Sequence, residues 1–183
     1  MIIFICQGNE IEDGLDDRYY WQFSSVSSRL AEEIDAPESV WLATSPHLTA
    51  HELAGVLADH LDIYFSEDLS GLETLTDTSG KLLLRTSDLY ASLIAEGKEY
   101  DVAIVIADRR IIRRLIKYAA DAHGLDTHGT VPMRDPGDTL ILDLREYEVR
   151  QICTEIPILA EGAVWPGEKT WPEGWDTPTR SPD

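Results

Sequence analysis

The amino-acid sequence predicts an α/β protein: a three-layer α/β/α sandwich with a mostly parallel central sheet and an extended C-terminal tail. Three observations predict it. The apolar runs 2–6 and 102–107 are short, rich in Ile and Val and bounded by polar residues, as buried strands are. Stretches of helical spacing follow such runs, and strand-helix-strand connections impose parallel pairing with helices on both faces. After Pro157 periodic patterning stops and Pro and Gly recur, which marks a different kind of segment.

In order along the chain, residues 2–6 read as a buried strand. Residues 20–34 have helical spacing, with Phe23, Val26, Leu30 and Ile34 on one side. Residues 40–43 form a short second strand. Ser45-Pro46 then starts a helix, because a proline near a helix start loses no hydrogen bond. Its expected buried positions are Leu48, Leu53, Val56, Leu57 and Leu61. Ile63-Tyr64-Phe65 is a third strand, and residues 67–80 carry turn residues and form a loop over the site edge. Residues 81–95 read as a helix ended by Gly97. The most apolar strand, 102–107, precedes a helix over 110–122 that stops near Gly124. Runs 138–144 and 148–155 look like an antiparallel pair.

Bulk properties restrict the class. At 183 residues and 43% hydrophobic content the chain suits one domain with a sizeable core. Cys6 and Cys153 both sit in strand-like runs and suggest no disulfide framework. Met1 leads directly into the first strand and no apolar run reaches the ~20 residues of a membrane span, so a cytoplasmic location is expected. The formal charge of -19 argues against nucleic acid and anionic membranes as partners, since phosphates are repelled. It suits a basic protein partner and equally a salty habitat.

Three strand ends carry the chemistry. The first runs Ile2-Ile3-Phe4-Ile5-Cys6 into Gln7-Gly8-Asn9-Glu10. The second is Ala43-Thr44-Ser45-Pro46, and the third is Val102-Ala103-Ile104-Val105-Ile106-Ala107-Asp108. This frame resembles the histidine phosphatase superfamily, also called phosphoglycerate mutase-like, and within it the small bacterial phosphohistidine phosphatases. There the first strand ends in Arg-His-Gly-Glu, the second in Ser-Ser-Pro with an Arg a few residues on, and another in Ser-His. The resemblance covers residues 1 to 155, with Ile111, Ile112, Leu115 and Ile116 repeating the apolar pattern of the last helix. Pro132, Gly137 and the run 139–144 look like the ending of the smaller members.

What the resemblance implies is a frame without its chemistry. Read without a gap, Gln7 replaces the Arg, Gly8 the nucleophilic His and Asn9 the Gly, while Glu10 keeps the acid. Shifted by one to match the glycine, Cys6 replaces the Arg and Gln7 the His. The phosphate-binding Arg of the second strand falls on Thr49, and the second His falls on Asp108. A phosphohistidine route needs a neutral imidazole and balancing cations. Glutamine is not nucleophilic, glycine has no side chain, and a carboxylate about 4 Å from a phosphoryl charge is repelled by roughly 4 kcal/mol at an effective dielectric constant near 20. Cys6 reads as a small buried hydrophobe, since nothing around it spells the amide cradle and Arg of a cysteine phosphatase.

Other clusters have two readings each. Arg109-Arg110 and Arg113-Arg114 bracket Ile111-Ile112 in an otherwise acidic chain. Arg109 and Arg110 at a helix N-terminus can form an anion site from a new direction; the plain alternative is surface pairing with the many carboxylates, and Arg113 and Arg114 point outward. His47 and His51, spaced i, i+4 with His60 further along, have the spacing of a zinc pair but no third ligand. Glu10, Glu12, Asp13, Asp16 and Asp17 make an acidic loop that matches no calcium pattern. No metal or cofactor is expected.

Residues 157–183 hold Trp165, Trp171 and Trp175 next to Pro or Gly. Disordered tails are poor in aromatics, so this segment is expected either to wrap back as a strap over apolar surface or the cleft, or to dock a partner. The division is thus an α/β domain over 1–156 and a tail over 157–183. The functional expectation is a non-catalytic, pseudophosphatase-like binding or regulatory protein with a protein partner. Its rivals are a hydrolase or phosphatase using Asp108, Glu10 or Cys6 in the same cleft, and a sensor of a small anionic ligand through Arg109 and Arg110.

Overall fold

The computed structural model describes residues 1–7, 17–63, 67–68, 86–127, 130, 133 and 135–152, with side chains from residue 19 in the first helix and none at 67–68. Among these residues there are six strands and four helices: β1 Ile2–Cys6, α1 Asp17–Glu33, β2 Val40–Thr44, α2 Leu48–Leu61, β3 Glu67–Asp68, α3 Thr86–Gly97, β4 Val102–Ala107, α4 Arg109–His123, β5 Thr139–Asp143 and β6 Glu148–Ile152. A single 3₁₀ turn, Pro37–Ser39, leads into β2. The strands form one sheet in the order β3-β2-β4-β1-β5-β6. β3, β2, β4 and β1 run parallel, and β5 and β6 return antiparallel.

The period of two along each strand sorts the core into two layers. Phe4, Cys6, Trp41, Ala43 and Val105 face α3 and α4. Ile3, Ile5, Leu42, Ile104 and Ile106 face α1 and α2. β1 and β4 are each paired on both edges and packed on both faces, and both are accordingly apolar along their whole length. Phe23, Val26, Leu30 and Ile34 all bury against the sheet, as their spacing predicts. His60, in the last turn of α2, places its ring nitrogens 2.9 Å from Ser24 Oγ and 3.4 Å from Ser28 Oγ, tying α2 to α1. On the opposite face, Tyr90 of α3 and His123 of α4 hydrogen-bond at 2.8 Å.

Several expected elements shift. α2 begins at Leu48 with His47 as its cap, not at Ser45-Pro46. Ser45 N–H still donates to Ile106 C=O at 2.9 Å, so the strand ladder runs one residue past β2 before the chain can turn. Leu48 is exposed rather than buried, at 43%. At 100° per residue it stands nearly opposite the Leu53–Leu57 side of the helix. The third strand is Glu67–Asp68, inside the span expected to be loop, and Ile63 lies before it outside any element. Pairing with Ala43 and Thr44 at the sheet edge creates that strand, which no apolar pattern announces. Residues 64–66, 69–85 and 153–183, the acidic loop from Gly8 to Asp16, Pro132 and Cys153 lie outside the described residues.

Two backbone details fix the ends. The β5–β6 turn is held by Asp143, whose carboxylate accepts from Arg145 N–H at 2.8 Å and Glu146 N–H at 3.1 Å. Those backbone bonds hold its pKa below the usual 3.8. At the other end of the sheet, Gly137 has φ +87 and donates its N–H to Cys6 C=O at 2.8 Å. A Cβ there would lie 2.8 Å from Phe23 Cδ2. Gly137→Ala combines a disfavoured backbone region with overpacking against a fully buried ring. It is expected to lower stability by about 3 kcal/mol, read as a fall in the urea midpoint at unchanged slope.

Candidate functional site

In open α/β sheets the crevice forms beyond the strand carboxyl ends, where neighbouring strands send their connections in opposite directions. Here that point lies between β1 and β4: the chain leaving β1 goes to α1 on one face, and the chain leaving β4 goes to α4 on the other. Gln7 and Asp108 are the first residues after those two strands. Gln7 N–H donates to Ala107 C=O at 3.0 Å, which sets Gln7 beside the end of β4. Cys6 N–H donates to Asp138 C=O at 2.9 Å and closes the opposite side.

Gln7 is buried, at 1% exposure, and so is Ser45. Ser45 Oγ donates to Gln7 Oε1 at 2.5 Å. Two strand ends that flank β4 are thus joined by a side-chain hydrogen bond across it. This partner of Gln7 was not singled out in the sequence. Ser45 follows β2 as Gln7 follows β1, but that both strands flank β4 is set by the sheet order and by no motif in the sequence. Thr49, in the first turn of α2, is also buried, at 2%. Glu52, just under one turn on and next to His51, is a buried carboxylate that is not without a partner.

Asp108 is committed to the helix. Its Oδ1 accepts the N–H of Arg110 at 2.7 Å as the N-cap of α4, satisfying one of the helix's open donors. Arg110 Nε stands 3.4 Å from the same oxygen, with that side chain more than half exposed. Arg109 is half-buried at the same helix start and makes no ion pair with a described residue. Cys6 is fully buried in the layer under α3 and α4, which removes it from the crevice as a nucleophile. Gly8 and Glu10 lie outside the described residues. His47 and His51 are both half-buried at the start of α2, away from His60 in its last turn. No three His, Cys, Asp or Glu side chains converge on a metal site among the described residues. Among those residues no helix is long and apolar enough to cross a membrane.

The fold is similar to that of a solved histidine phosphatase. The structure of the protein histidine phosphatase SixA complexed with tungstate superposes with a TM-score of 0.55 at 17% sequence identity, covering 83% of this chain and 94% of that one. No protein-family model and no curated protein matches the sequence.

The Gln7–Ser45 pair can be tested as a unit. Removing one partner leaves a buried polar group unsatisfied, at a cost of about 1–3 kcal/mol, whereas removing both with apolar groups is close to neutral. Ser45→Ala alone is therefore expected to destabilise more than Ser45→Ala combined with Gln7→Leu. A chemical-denaturation double-mutant cycle reads the difference.

Proposed function

We propose that this chain is a non-catalytic member of the histidine phosphatase superfamily that acts by binding. One observation carries the reading: the side chain at the end of β1 is a glutamine held by Ser45, where the resembled family presents an Arg or, with the register shifted by one, its nucleophilic imidazole. The capping role of Asp108 supports it from the other strand end. A carboxylate fixed on the N–H of Arg110 brings negative charge where a phosphoryl group would need a cation or a shared proton. The buried position of Cys6 removes one of the substitute nucleophiles.

The full chain is expected to give background turnover of p-nitrophenyl phosphate and no acid-labile phosphoenzyme after exposure to acetyl phosphate. Turnover by homogeneous protein whose pH profile is abolished in Asp108→Ala would replace this reading with reassigned chemistry in the same crevice.

A second reading is favoured by Arg109, a half-buried cation at a helix N-terminus, where amides and dipole already attract anions. Under it the crevice holds a small oxyanion without turning it over. Melting with tungstate or phosphate at matched ionic strength is the check. At 100 times the dissociation constant a ligand adds about 2.7 kcal/mol, and that gain should vanish in Arg109→Ala. Without any shift, tungstate and phosphate are excluded as ligands of this crevice and a protein partner becomes the favoured reading.

A further inference from the structure

The chain has a net charge of -19, yet α4 carries five of its 15 Lys and Arg residues. Arg113, Arg114 and Lys117 all stand exposed on the outer side of that helix. Beside this basic ridge lies a groove of about 420 Å³, within the size range of small-ligand pockets. Its apolar lining is Ile116, Leu125, Met133 and Leu140, and Arg113 and Lys117 stand over it. Asp121 and Asp126 lie at the same rim, so the positive charge is concentrated toward the start of the helix.

We propose that a tryptophan of the C-terminal segment, residues 153–183 of the same chain, occupies this groove. The exit of the chain supports it. β6 ends at Ile152 opposite Thr139, and Gln151 pairs with Leu140, a lining residue, so residue 153 starts two strand positions past the residue that faces the groove's lining. With 31 residues beyond that point, reach is no constraint, because an extended chain spans about 3.3 Å per residue.

Charge supports it as well. The segment holds six carboxylates against two cations, and Glu168, Glu173 and Asp176 lie beside Trp165, Trp171 and Trp175. Most of the protein's surface repels such a segment, whereas the outer side of α4 attracts it. The groove also matches an indole: apolar lining for the ring body, and an Arg and a Lys placed to lie against its face. A freely exposed set of three tryptophans would be a solubility liability that this placement removes.

Met1 and Met133 are the only methionines, so the full chain labelled with [methyl-13C]methionine gives two methyl signals, one of them inside the groove. The Trp165→Ala, Trp171→Ala and Trp175→Ala chains, and the triple variant, should be compared with the unaltered chain. One single variant, and the triple variant, should move the Met133 signal as an aromatic ring current is lost, with Met1 unmoved. Arg113→Glu with Lys117→Glu should move it in the same direction without touching the tail. If even the triple variant leaves Met133 in place, the proposal is wrong. Should the Met133 shift depend on protein concentration, or change when labelled chain is mixed with unlabelled triple variant, the occupant is the tail of a second copy, and the intramolecular placement is overturned.

Discussion

β4 is the strand on which the rest of this molecule is hung. Its backbone is saturated on both edges, by β1 and by β2, and both of its faces are covered by helices. A strand in that position gives an unpaired amide or a polar side chain little route to water, so its sequence, Val-Ala-Ile-Val-Ile-Ala, is apolar throughout. The same constraint sets where the chemistry lies. Apart from Thr44, the last residue of β2, the first polar side chains of β1, β2 and β4 are those just past the carboxyl ends: Gln7, Ser45 and Asp108. The crevice is thus a product of the sheet's burial, independent of what is bound there.

What occupies those three positions is internally consistent. Each side chain at the crevice floor is used to hold the protein's own structure. Gln7 and Ser45 satisfy one another in a place where either alone would be a buried, unpaired polar group. Asp108 satisfies an amide at a helix start. Here the strand ends are satisfied by the protein's own groups, which favours rigidity at the floor, and Arg109 and Arg110 stand at the start of α4 beside it.

The elements with a long period were legible in the sequence, and those made by pairing were not. β1, β4, α1 and α4 follow from apolar spacing alone, and Gly124 marks the end of α4 with φ +67. β3 did not follow, because Glu67–Asp68 is a strand only through the ladder offered by Ala43 and Thr44. The start of α2 was misplaced because Pro46 is a good first residue of a helix by local preference, while the ladder bond from Ser45 to Ile106 has priority over it. Of the site, the strand ends were readable as positions. The hydrogen bond between Gln7 and Ser45 was not, since it depends on which strands are neighbours, and the sheet order is not written in either motif.

The outer edge of β6 has no strand beside it among the described residues. Its side chains include Glu148 and Arg150, and Arg150 also reaches back to Glu33 at 2.7 Å. Charges on an edge strand discourage edge-to-edge joining with another molecule. The net charge of -19 adds a longer-ranged repulsion between whole molecules. These two safeguards differ in how they respond to salt. At about 0.15 M ionic strength the Debye length falls to roughly 8 Å, and the repulsion between molecules fades before the local charges on β6 do. In dilute buffer the protein's colloidal behaviour is therefore governed by its total charge; in concentrated salt it passes to a few side chains on one strand.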